Sequence, residues 1–426
     1  MHTDNLSREE LLILLSCCAN PSAEKIAALE KLLEQQLDWW CIINIARLHG
    51  IAPFICNAVN HCSNKGSVPA LIIRELNNDY HRSAFINLVF LKEYESILQQ
   101  CNINKIKIIP LKGIVLIKEI YKNIALRTLS DIDLLIHKHD LERGINVLRD
   151  LGYTQKKTVY QHEEHFHLIF QRCSRSVPIT VELHWDVDIP DSPYHIAIDD
   201  LWERAIISQH HSGECYRLSL EDSILFNCFH IMRKPLAEGI IIIKNFCDIY
   251  EILIQRQPDI KWHMIMNCAE QYRIVRPVFL VLLFLERYFA APLPPIIGER
   301  LKREGFQEEM FVDIIHKRIF TRNSEKIFVP GMLVFSQERR WYQFPLNVGS
   351  VFTTFSRLCK YFMVHTRFPS LQGMTIVFKR VKHSVLNYAR VIYLYIFKYH
   401  RMKTLHRVLL HDKKRIDLID QWLRGM

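Results

Sequence analysis

An α/β (α+β) core with a mixed sheet, set between N-terminal and C-terminal helical regions, is the fold class this chain predicts. Three observations carry it. Residues 1–100 and 200–300 place apolar side chains at i, i+3, i+4 and i+7, the spacing of a helix face. Between them, β-like and helical runs follow the order β-α-β-α-β-β within about 80 residues, the pattern of an α/β unit. The 426 residues also exceed one ordinary core and imply two to four units.

The first helix opens at Ser7, with Glu10 three residues on as a capping box, and continues into "LLILLSCCA" (11–19). That run is as apolar as a secretory h-region. Asp4, Glu9 and Glu10 precede it against Arg8 alone, however, which is the wrong sign for a signal. "SAEKIAALEKLLEQQ" and "WWCIINIARLHGIAPFICNAV" are helical, the second punctuated by Gly50 and Pro53. A long helix is predicted over roughly 70–101.

The texture changes at 105. "IKIIPLKG" is a short strand ending in Lys112–Gly113, "IVLIKEIYKN" returns to helical spacing, and "SDIDLLI" is a second strand. "HDLERGINVLRDLGY" is an amphipathic helix closed by Gly152, and the strands "HFHLIFQR" and "ITVELHW" follow. Four further helices are predicted in "LEDSILFNCFHIMR", "GIIIIKNFCDIYEILIQR", "WHMIMNCAEQY" and "RPVFLVLLFLERYF", before the break "APLPP" (291–295). The expected organisation is a helical region over 1–103, a core over 104–200, a helical domain over 201–300 and a basic extension over 301–426.

Hydrophobic content of 49% with 23% charged residues belongs to a folded globular protein, and 13 glycines and 16 prolines leave no room for long flexible linkers. The 12 cysteines form no CxxC pair, and Cys228, Cys247 and Cys268 sit inside apolar runs. Free thiols of this kind imply a reducing, cytoplasmic setting and exclude a disulfide framework. No uncharged apolar run reaches the ~18–20 residues of a membrane span. "PVFLVLLFL" (277–285) ends at Glu286–Arg287 and reads as a core helix. Charge is uneven: residues 331–426 hold 17 Lys and Arg against 4 Asp and Glu, while the whole chain is +10, which leaves −3 for residues 1–330.

The chemistry concentrates in "RTLSDIDLLI" (127–136). Strand alternation puts Asp131 and Asp133 on one face, roughly 6–7 Å apart. Glu182 in "ITVELHW" shares a face with His184, while Val181, Leu183 and Trp185 pack the other side. If the two strands are neighbours, three carboxylates converge, and such a cluster requires cations. Oxygen ligands favour Mg²⁺ or Mn²⁺, and two such ions about 3.5–4 Å apart can hold a triphosphate and activate a hydroxyl. Repulsion also predicts that Asp131→Asn or Asp133→Asn leaves the metal-free fold unchanged or slightly more stable.

The order "LKG", helix, "R-x-x-x-DIDLLI", helix ending in "GY", then "ELHW" resembles the uncharacterised bacterial nucleotidyltransferase family of the polymerase-β-type superfamily. With "DWWCIINIARLHGIAPFI" before it and "LEDSILFNCFH" and "KNFCDIYEIL" after it, the resemblance covers roughly residues 38–290. It implies that Asp131, Asp133 and Glu182 are catalytic and hold Mg²⁺ or Mn²⁺. It further implies that Lys112, Gly113, Arg127 and His184 bind an NTP, and that a nucleoside monophosphate passes to an acceptor hydroxyl with release of pyrophosphate. Where the superfamily usually has Gly-Gly or Gly-Ser, this chain has Lys112–Gly113. Gly113 still permits close backbone approach at a helix start, and Lys112 adds a point charge for phosphate. A non-catalytic nucleotide- or partner-binding protein, or a phosphotransferase with the same metals, are the alternatives on this fold.

Several residues carry two readings. Arg127 either grips phosphate or pairs with Asp131. His184 either touches nucleotide or is a hydrogen-bonded sheet histidine. His230 and Asp248 either face the cleft or form a buried pair between helices. "HEEHFH" (162–167) is one residue short of a metalloprotease spacing and reads as a strand entry. The tail's "RVIYLYIFKYHRMK" (390–403) interleaves aromatics with Lys and Arg, which fits a packed helix, a peripheral contact with the anionic inner face of a membrane or, less well, nucleic acid.

Overall fold

The computed structural model describes residues 6–156, 166–190, 192–210, 213–233, 241–303, 315–316 and 319–320. The first four residues of "HEEHFH" and the whole basic stretch 331–426 lie outside the described residues, so the metalloprotease-spacing and tail readings do too.

Five helices lead the chain: α1 (Arg8–Ser16), α2 (Ala23–Leu33), α3 (Trp39–Leu48), α4 (Ala52–His61) and α5 (Ala70–Ile103). Side-chain caps start the first three. Ser7 and Glu10 form the reciprocal box, at 3.2 and 2.9 Å, while Ser22 and Asp38 accept from the Lys25 and Cys41 N–H groups. Each such cap contributes on the order of 1 kcal/mol. The "LLILL" run serves packing, with Leu12, Ile13 and Leu14 fully buried.

The core follows as β1 (Ile108–Pro110), α6 (Ile114–Leu116), β2 (Ile132–Ile136), α7 (Leu141–Asp150), β3 (Thr154–Gln155), β4 (His167–Ser174) and β5 (Val177–His184). The sheet order is β1-β2-β5-β4-β3; β2 and β5 run parallel and every other neighbouring pair is antiparallel, so the sheet is mixed as predicted. Two local details differ from the periodicity. "IVLIKEIYKN" forms one α turn and then a π turn over 117–121, which keeps Ile117, Ile120 and Tyr121 buried together. The two-residue β3 is too short to leave a pattern.

Register decides the faces. Ile132, Leu134 and Ile136 of β2 align with Val181 and Leu183 of β5 and with Leu168 and Phe170 of β4, and this apolar face packs on Phe90, Tyr94, Ile145 and Leu148 of α5 and α7. Gly144 lets α7 approach: a Cβ there would lie 2.6 Å from the Ile136 Cδ1. The opposite face carries Asp133, Glu182, His184 and His167.

After the sheet come α8 (Ile198–Glu203), the hairpin β6 (Ile206–His210) and β7 (Gly213–Arg217), then α9 (Leu220–Met232), α10 (Ile243–Arg256), α11 (Trp262–Gln271), α12 (Val275–Phe289) and α13 (Pro295–Arg303). The hairpin interrupts what the spacing presents as purely helical. Its Ile206 and Ile207 are both exposed, so no alternation announces it. Helix α12 buries residues 277–285 completely, as expected of a core helix, and no described helix is long and apolar enough to cross a membrane.

Candidate active site

Asp133 sits in the middle of β2, directly in register with Glu182 on parallel β5. Adjacent strands lie about 4.8 Å apart, so two same-face carboxylates at matched positions must meet. His184, two residues beyond Glu182, returns to that face and brings its Nε2 to 3.3 Å from Asp133 Oδ1 and 3.4 Å from Glu182 Oε2. The three donor atoms lie within 4.8 Å of one another, close enough to share one ion. Asp131 stands half-buried at the entry to β2, outside this three-donor group, and its charge acts on Lys112 and Glu182.

Lys112 arrives from the edge strand. Pro110 closes β1 where its missing N–H costs nothing, and the Leu111 N–H still donates to Asp133 O at 3.1 Å. The next side chain, Lys112, then reaches Asp133 Oδ1 at 3.2 Å and His230 Nε2 at 3.3 Å. Gly113 takes φ +46°, and a Cβ there would press to 3.0 Å from Leu129 Cδ2 and lie 3.8 Å from the Arg127 guanidinium. The helix after it is a single α turn running into the π turn, so little macrodipole backs this corner. What the corner offers a phosphate is backbone approach and the Lys112 ammonium.

The electrostatics follow from these contacts. Burial by itself would raise the Glu182 carboxyl, but its hydrogen bond to His184 and the charges of His184 and Lys112 outweigh that and hold it down to about 2. Burial would lower His184, yet Asp133 and Glu182 together lift it above the ordinary imidazole value. Lys112 is likewise lifted, because Asp133, Asp131 and Glu182 overcome its desolvation. The Lys112 ammonium therefore already compensates part of the acids' charge. The expectation that Asp133→Asn relieves strain needs correction on this ground: Asp133 is 3% exposed and paired, so losing its charge removes a contact from both Lys112 and His184.

Arg127 is 3% exposed and bound to Asp248, not to Asp131. Its Nε and Nη2 donate to the two Asp248 oxygens at 2.8–3.1 Å, its Nη1 donates to Thr128 O at 2.6 Å, and the Tyr121 hydroxyl donates to Asp248 Oδ1 at 2.7 Å. Asp248 thus faces Arg127 and Tyr121, while His230 meets Lys112, so the suspected link between the two helices runs to the core instead.

Two cations escape sequence reasoning. Lys244, four residues before Asp248 on α10, donates to Thr128 O at 3.2 Å. Burial and the neighbouring Arg127 charge depress it to about 8, and Asp131 pulls the other way. Arg233, at the end of α9, lies 3.6 Å from Asp188 Oδ1 and over the Phe166 ring at 4.7 Å; burial lowers its pKa while Asp188 first, then Glu182 and Asp133, oppose that. The only sequence signal for Lys244 is a lone lysine after four isoleucines; Arg233 carries none.

No curated protein and no solved structure matches this chain. Residues 35–290 match the family described as uncharacterised nucleotidyltransferase, close to the span of the motifs that carry the resemblance. That match covers more than half of the chain, and the protein belongs to this uncharacterised nucleotidyltransferase family.

Proposed function

We propose that this site moves a nucleoside monophosphate from an NTP to an acceptor hydroxyl and releases pyrophosphate. The observation that carries the reading is the in-register pair Asp133–Glu182, with Asp131 at the strand entry and cations gathered around them. Asp131, Asp133 and Glu182 are the residues we assign to hold a divalent cation, Mg²⁺ or Mn²⁺; carboxylate oxygens suit such an ion, and those of Asp133 and Glu182 lie close enough to share one. When bound, the cation neutralises triphosphate charge and makes the acceptor hydroxyl easier to ionise.

The chain's own groups do the rest. Lys112 and Lys244 contact the triphosphate, Arg233 adds positive potential from the far side, and Gly113 admits phosphate close to the backbone. Glu182 stays ionised at physiological pH and accepts a hydrogen bond from the acceptor hydroxyl, orienting its oxygen for in-line attack. Arg127, fixed by Asp248 behind Gly113, positions the Lys112–Gly113 turn. Catalysis on this reading is positioning and charge compensation. Eleven cysteines among the described residues are free thiols, which supports a reducing cytoplasmic setting.

Incubation with α-labelled and, separately, γ-labelled NTPs and a cell extract tests the reaction. Label from the α position on an acceptor, with pyrophosphate released, supports the proposal. Transfer of γ label identifies a phosphotransferase, and Mg²⁺-dependent NTP binding without transfer identifies a binding protein.

A further inference from the structure

Histidine is not an oxygen donor, yet His184 stands among the carboxylates. It is 6% exposed, and its ring is held by stacking on His167, centroids 4.9 Å apart at 23°, and by Phe166 at 5.8 Å. This clamp aims Nε2 at the gap between Asp133 and Glu182. Among the described residues its buried Nδ1 has no hydrogen-bond partner, so the polar contacts that orient the ring all lie on the acid side.

The spacings fit a shared ion. Donors about 2.1 Å from one metal lie about 3.0 Å apart at octahedral cis positions and about 3.4 Å apart in a tetrahedron. Nε2 lies 3.3 and 3.4 Å from the two carboxylate oxygens, inside that range or at its limit. Lys112 Nζ, 3.2 Å from the same Asp133 oxygen, holds the position of a competing cation.

We propose that His184 Nε2 is a direct metal ligand beside Asp133 and Glu182, and that this nitrogen makes the site select Mn²⁺ over Mg²⁺. Magnesium binds oxygen donors and keeps its waters, whereas imidazole suits first-row transition metals. The inference rests on the reading that Asp133 and Glu182 hold a cation. It adds one imidazole to the carboxylates assigned above.

Electron paramagnetic resonance of Mn²⁺ added to the full-length protein tests it without any activity measurement. Pulsed spectra should show nitrogen coupling from a directly bound imidazole, and competition should give Mn²⁺ at least about a tenfold advantage over Mg²⁺. His184→Gln should remove the nitrogen signal and collapse that advantage, mostly by weakening Mn²⁺. Mn²⁺ bound without nitrogen coupling, or an equal loss of both metals in His184→Gln, overturns the role of His184 and leaves the carboxylate reading standing. Failure of the wild-type protein to bind either metal overturns both. The wild-type spectrum decides the point even if the variant does not fold.

Discussion

Replacing Lys244 by Met should stabilise the protein while weakening triphosphate binding. The ammonium is depressed from 10.5 to about 8, first by burial and then by Arg127. At 1.36 kcal/mol per unit, holding it charged costs the folded state about 3 kcal/mol. The side chain keeps some surface toward solvent, so about 2 kcal/mol is the expected gain at neutral pH. Methionine fills a similar volume, and Thr128 O still accepts from Arg127 Nη1, so no carbonyl is orphaned. The sign with pH follows from proton counting. Between about pH 8 and 10.5 the folded state binds fewer protons than the unfolded one, so wild-type stability gains with pH across that window. The penalty is complete below about pH 8 and gone above 10.5. Urea unfolding of both proteins at about pH 7 and about pH 9.5 should therefore show a gap that narrows as pH rises. Thiols and tyrosines titrating nearby are common to both proteins and cancel in the difference. A Met variant less stable than wild type at pH 7, or a gap independent of pH, would refute the reasoning.

Asp131→Asn and Asp133→Asn should each abolish transfer, but only Asp133→Asn should also lower stability, by about 1–3 kcal/mol, because it removes the buried charge that both Lys112 and His184 contact; equal unfolding midpoints for the two variants would contradict the pairing. Lys112→Ala should weaken NTP binding more than binding of the free nucleoside in calorimetry, whereas equal losses make Lys112 structural. Asp248→Ala should cost about 3–5 kcal/mol by stranding Arg127, with thermal unfolding as the measurement, and a change under 1 kcal/mol would show that the pair is not what anchors this region. For the basic stretch 331–426, co-sedimentation should show binding to anionic but not zwitterionic vesicles, weakened by salt and lost on truncation at 330; indifference to anionic vesicles at low salt removes the membrane reading.

Alternation and spacing are local properties, and what depends on them was legible from the chain alone. "SDIDLLI" and "ELHW" announce which side chains share a face, and the Ser7–Glu10 box marks where α1 begins. The motif order was enough to reach the family. Partnership across strands and helices is not local, and only the tertiary structure decided it. The parallel β2–β5 register sets Asp133 against Glu182; a shift of one residue would turn Glu182 into the apolar core. Arg127 pairs with Asp248, 121 residues away, because both are buried and neither can stay unpaired there. Lys244 and Arg233 carry no motif, since a helix residue's reach into a cleft depends on how the helix docks. Folding brings them beside the acids, and it turns two repelling aspartates into a compensated cluster of cations and anions.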